Sequence, residues 1–190
     1  IDYGSRILML GSCFTTEIGK ILQDYRFNVL VNPFGVLYNP CSIASSVKRM
    51  LECTPFTAGD VIQTNPTDAS SPARYASFHH HSSFSRPTPE EFLENANNAL
   101  SLASDFLHQA DTVIITLGTA WVYRCAQTGI VVSNCHKRLA KEFSRNLLEV
   151  VQCRETLLEI ADSLPDKNII FTVSPIRHLK ETLHGNQISK

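Results

Sequence analysis

The sequence predicts an α/β sandwich, a mainly parallel sheet with helices on its faces. Three observations predict it. Short apolar runs recur along the chain, segments of helical periodicity separate them, and small or polar residues follow the runs. At 190 residues the chain fits one domain, with a loop-rich insertion at about 53–88. A domain of that size buries enough surface to need neither disulfide nor metal.

Residues 6–10 are an apolar run stopped by Gly11, the pattern of a buried parallel strand. Residues 15–25 space Ile18, Ile21, Leu22 and Tyr25 for a helix. Residues 28–31 read as a second strand, broken by Asn32-Pro33-Phe34-Gly35. Asn39-Pro40 opens a second helix, with Pro in its first turn, that runs through Ile43, Val47, Met50 and Leu51. From about 53 to 88 the periodicity is lost, and a stretch that long is a functional loop or an insertion. Thr88-Pro89-Glu90-Glu91 starts a helix reaching about Gln109, its acids near the positive end. Residues 112–116 form the third strand, and Gly118 ends it. Residues 121–123 and 130–132, around Gln-Thr-Gly, form a small hairpin. A long helix is expected over about 145–163, carrying Leu147, Val150, Val151, Leu157, Leu158 and Ile160. Residues 168–173 form the last strand, ended by Ser174-Pro175. The chain starts without Met and closes in polar residues with no finishing element, so truncation at the C-terminus is expected.

A formal charge of −1 weighs against nucleic acid and anionic membrane as partners. The apolar runs fall short of the ~20 residues of a membrane helix, and no signal-peptide pattern opens the chain. A cytoplasmic protein is the default, although a mature secreted or periplasmic form would look the same. Six scattered cysteines without a Cys-x-x-Cys pair argue against a disulfide framework or zinc knuckle. No cofactor is expected, and the oligomeric state is left open.

In open parallel sheets ligands bind beyond the carboxyl ends of the strands. Gly11-Ser12-Cys13, residues 32–39, Gly118 to Trp121 and Ser174-Pro175-Ile176-Arg177-His178 occupy those ends. Ser12 and Cys13 sit on a tight strand-to-helix turn, where unpaired N–H groups stabilise a thiolate or a developing oxyanion. The same turn also suits a plain N-cap serine after a strand-ending glycine.

Five motifs carry a resemblance. Gly11-Ser12-Cys13-Phe14, Asn32-Pro33-Phe34-Gly35, Leu117-Gly118-Thr119-Ala120-Trp121-Val122-Tyr123, Asn134-Cys135-His136-Lys137 and Ser174 to His178 occur in the order seen in the GSCFA family. That bacterial family resembles the SGNH/GDSL hydrolases. The resemblance implies a three-layer α/β/α sandwich with a flavodoxin-like sheet, and an esterase or acyltransferase acting on small-molecule or carbohydrate esters. Aligned without a gap, Cys13 falls on the superfamily's nucleophilic Ser, while a one-residue shift gives the role to Ser12. Cys13 is preferred, since the positive end of a helix favours a thiolate. The resemblance further assigns oxyanion donation to Gly35 and to the block at Gly118, whose Asn is replaced here by Ala120. Asn134 and His136 are proposed as substitutes. The superfamily's base, in Asp-x-x-His, is missing after Val173, and His178 is the local candidate. A base contributes roughly 10²–10⁴-fold, so this chain by itself is expected to be nearly inactive.

Several residues admit two readings. His79, His80 and His81 could ligate a metal with Cys135 and His136, but the expectation is no metal, with His81 in the substrate cleft. Arg177 could hold a substrate carboxylate or phosphate, or pair with an acidic neighbour on the surface. Trp121 and Tyr123 are expected to pack the hairpin onto the core, with a cleft wall as the alternative. A catalytically silent module binding a glycan or acyl ligand in the same cleft is the competing functional reading.

Overall fold

The computed structural model describes residues 1–64, 72–177 and 182–190. Along the chain run β1 (Arg6–Gly11), α1 (Cys13–Asp24), β2 (Asn28–Val31), α2 (Pro40–Glu52), β3 (Ile62–Gln63), β4 (Tyr75–Ala76) and α3 (Pro89–Gln109). Then come β5 (Thr112–Leu117), β6 (Trp121–Cys125), β7 (Val131–Val132), β8 (Phe143–Leu147), α4 (Val150–Asp162), β9 (Asn168–Val173) and α5 (Leu183–Ile188).

β2, β1, β5 and β9 pair in that order as one parallel sheet, with Ile7 opposite both Val29 and Thr112 and Thr112 opposite Asn168. The period of two along β1 sends Leu8 and Leu10 to one face and Ile7 and Met9 to the other, and all four are buried. Leu8 and Leu10, with Val113 and Ile115 of β5, meet Ile43, Val47 and Met50 of α2, Phe92, Leu100 and Leu107 of α3, and Ile160 of α4. α1 packs against β1 and β2. The result is a three-layer α/β/α arrangement, as the sequence predicts. Because every central strand runs the same way, their carboxyl ends share one rim.

Local signals set the helix starts. Asn39 Oδ1 accepts from Ser42 N at 2.8 Å with Pro40 at the first turn of α2, and Thr88 Oγ1 accepts from Glu91 N at 3.2 Å at the start of α3.

The structure corrects some expectations and extends others. The long helix begins at Val150, not 145. Residues 143–147 are instead β8, paired antiparallel with β6 so that Leu147 faces Trp121 across the ladder. Glu149 N donates to Gln152 Oε1 at 2.9 Å and starts α4 there. The hairpin is thus the first part of a three-stranded sheet ordered β7-β6-β8. The 53–88 stretch holds the β3–β4 pair and a bridge between Tyr75 and Arg86. Within it, His79 is in a turn, and His81 caps a short 3₁₀ turn, Ser82–Phe84. Finally, the polar end of the chain forms α5, with Thr182 Oγ1 accepting from Gly185 N. Among the described residues no helix is long and apolar enough to cross a membrane.

Candidate active site

The site starts with the turn between β1 and α1. Gly11 has φ +139°, and a Cβ there would lie 2.2 Å from the Thr116 carbonyl oxygen of β5. Glycine alone permits both the dihedral and the close approach of the two strands. Asn32 fixes the turn: its Oδ1 accepts from Gly11 N at 2.8 Å and its Nδ2 donates to Thr16 Oγ1 at 3.0 Å. Leu37 N donates to Gly11 O at 2.9 Å, and Ser12 N donates to Thr116 O at 3.2 Å.

Ser12 stands at the N-cap of α1, but its side chain makes no capping hydrogen bond. It is 1% exposed, and its Oγ has no hydrogen-bond partner among the described residues. Cys13, the first residue of the helix, is exposed. The serine hydroxyl takes none of the N–H groups of that first turn, although Thr15 N donates to Ser12 O at 2.9 Å, and the start of the helix gives the thiol's surroundings a positive character.

Both residues line a cavity of about 750 Å³ whose walls also include Trp121 and Tyr123 of β6, Phe143 and Arg145 of β8, and Ser174, Ile176 and Arg177 after β9. The cleft thus lies between the rim of the parallel sheet and the β7-β6-β8 sheet. The Arg145 guanidinium lies 4.0 Å over the Trp121 ring. Arg138, also in the wall, is bound to Glu142 at 2.7 Å. Two groups respond electrostatically to Cys13. Burial, and then the Cys13 charge, push the Tyr38 phenol up. Burial pushes the Lys190 ammonium down while the Cys13 charge acts in the opposite sense. Lys190 Nζ is held by the carbonyls of Ser174 at 2.9 Å and Ile176 at 3.0 Å. Cys135, in the opposite wall, has its thiol pushed up to about 11 by desolvation.

Of the residues singled out in the sequence, Ser12, Cys13, Asn134 and Arg177 come together on this cavity. Trp121 and Tyr123 form its wall. Cys135 lines it too, whereas Gly35, Gly118, His81 and His136 do not. Gly35 N donates to Asn32 O at 2.7 Å and Gly118 N to Tyr38 O at 2.7 Å, so neither N–H is open to an oxyanion. Ala120 N donates to Ser189 O at 2.8 Å. His136 is buried, its Nε2 donates to Ser77 O at 2.7 Å, and burial depresses its pKa: it anchors one loop to another as a neutral ring. Asn134 Oδ1 supports the same loop by accepting from His136 N at 2.8 Å. His81 Nδ1 accepts from Ser83 N at 3.3 Å, and the residue lies against Gly35 rather than in the cleft. His80 is a core residue among Phe34, Phe56, Phe84 and Phe92. His178, the base candidate, lies outside the described residues. Among those described, no imidazole lines the cavity, and no group of three or more His, Cys, Asp or Glu is placed to hold a metal ion.

Asn32, Tyr38, Arg145 and Lys190 are residues of this region to which sequence reasoning assigns no individual role. Asn32 left a trace, since Asn tolerates the positive φ of 44° it adopts after a strand. Arg145 was hidden by the helical reading of its segment.

The GSCFA family model matches residues 6–190. This chain belongs to the GSCFA family. No curated protein and no solved structure matches it. The match in this GSCFA protein takes in β1 through α5, and with them the turn carrying Ser12 and Cys13 and the whole rim of the parallel sheet.

Proposed function

We propose that this GSCFA protein is an SGNH-like hydrolase or acyltransferase that attacks an ester or amide carbonyl with Cys13. One observation carries the reading: an exposed thiol heads a helix at the carboxyl rim of a parallel sheet and opens onto a cavity. Cys13 is preferred to Ser12 because the serine is 1% exposed. In the first step Cys13 Sγ bonds to the carbonyl carbon, the carbon–oxygen or carbon–nitrogen bond breaks, and the leaving group departs with the thiol's proton. The resulting thioester passes its acyl group to water, giving an acid, or to an acceptor hydroxyl, giving a new ester. Either transfer restores the thiol.

A second reading, a silent module that binds a glycan or acyl ligand, is favoured by the lack of any imidazole in the cavity wall among the described residues. Incubation with p-nitrophenyl butyrate followed by peptide mass spectrometry separates the two. Catalysis predicts a butyryl adduct on Cys13 that is absent from Cys13→Ala. A protein left unmodified at both Cys13 and Ser12 contradicts it and favours the binding module.

A further inference from the structure

We propose that the Ser12 hydroxyl is a catalytic group: it donates a hydrogen bond to the substrate's carbonyl oxygen and holds the charge that forms there when Cys13 attacks. The inference rests on the reading of Cys13 as the nucleophile.

An unsatisfied hydroxyl carries it. Ser12 is 1% exposed, and its Oγ has no hydrogen-bond partner among the described residues. A buried hydroxyl left unpaired costs stability, so its presence calls for a physical reason. A serine at the start of a helix has an ordinary use, which is to accept from an N–H of the first turn. Ser12 does not serve that use, since its side chain makes no capping bond. With no partner fixing its χ1, the side chain turns between staggered rotamers at little cost. The cavity it lines gives the hydroxyl a direction in which to point, and Cys13, the next residue, lines the same cavity.

Other donors close to the thiol are committed. Gly35 N bonds to Asn32 O, and the N–H groups of Gly118 and Thr119 both bond to Tyr38 O. Asn39 is also in the wall, but its Nδ2 donates to Ser42 Oγ and its Oδ1 accepts from Ser42 N. Cys13 N and Phe14 N, by contrast, donate to no backbone acceptor among the described residues. They lend positive character beside the hydroxyl. The step balances as follows. Cys13 Sγ bonds to the carbonyl carbon, the π pair of the C=O bond moves onto oxygen, and Ser12 O–H bonds to that oxygen while keeping its proton. When the pair returns, the bond to the leaving group breaks, and that group departs with the thiol's proton.

Ser12→Ala tests the proposal through two reactions of Cys13, each timed by peptide mass spectrometry. Acylation by p-nitrophenyl butyrate builds charge on a carbonyl oxygen. Alkylation by iodoacetamide displaces iodide at a saturated carbon and builds none. Ser12→Ala should slow acylation about 10²-fold, the cost of one lost oxyanion donor, and change alkylation by less than about threefold. The thermal midpoint should stay level or rise, because the substitution removes an unsatisfied buried group. Loss of a structural cap would instead lower it by several degrees. Acylation slowed by less than about threefold, acylation and alkylation slowed alike, a clearly lowered midpoint, or the butyryl group found on Ser12 would overturn the proposal. A wild-type protein never acylated on Cys13 contradicts the nucleophile itself, whereas acylation that survives Ser12→Ala at full rate removes only the role of the hydroxyl.

Discussion

At the scale of single residues, the site depends on one glycine and one asparagine. Gly11 accepts a dihedral that L side chains rarely adopt, against a carbonyl with no room to retreat, since Thr116 belongs to a buried strand. Gly11→Ala should therefore destabilise the fold by about 4 kcal/mol or more, through strain and backbone collision together. Gly129 is the control. It has φ +70° but nothing within 4 Å of an added Cβ, and Gly129→Ala should cost only about 1–2 kcal/mol. Urea denaturation of both variants checks this, and equal losses would contradict the assignment. Gly11, Ser12 and Cys13 were legible in the sequence because a strand-ending glycine followed by small residues is a local pattern. Asn32 was not, because its role is to bond an amide 21 positions away, which no local period encodes.

At the scale of elements, the parallel strands and α2, α3 and their caps were legible, since apolar runs and Asn-Pro or Thr-Pro-Glu-Glu starts are written locally. β8 was not. Leu147, Val150, Val151 and Leu157 fit a helical spacing, but Phe143, Arg145 and Leu147 also alternate, and long-range pairing with β6 decides for the strand. That pairing is what brings Arg145 beside Trp121, so the charged half of the cavity was hidden with it. The histidine-rich stretch misled for a related reason. With no period to read, His81 was expected in the cleft, yet it lies against Gly35, and packing sends His80 into the phenylalanine core and His136 onto a backbone carbonyl.

At the scale of the whole molecule, those buried imidazoles make stability depend on pH. His80 is 0% exposed, and burial holds its pKa at about 3, against 6.5 for a free imidazole. Burial also depresses His79, His81 and His136. A depressed folded-state pKa means that the unfolded chain binds more protons between the two values. The native state is then fully favoured above about pH 6.5 and loses that advantage as the pH falls toward 3. His80 alone gives a slope of up to about 1.4 kcal/mol per pH unit. Thermal unfolding measured from pH 7 to 4 should show the loss, and His80→Leu should flatten it. An unchanged slope in that variant would move the acid sensitivity elsewhere.

The parallel order of the central sheet puts positions 12–13, 118–121 and 174–177 on one rim, and the β7-β6-β8 sheet closes a cavity over them. This geometry should make Cys13 chemically distinct from the other exposed thiols. Cys53 is the internal standard, since it is also exposed but sits at the C-terminal end of α2 and outside the cavity wall. Iodoacetamide alkylation near neutral pH, followed peptide by peptide, compares the two thiols directly. Cys13 should react about tenfold or more faster than Cys53, with Cys135 slower than either because its thiol is pushed up to about 11. A Cys13 that reacts no faster than Cys53 would contradict the account.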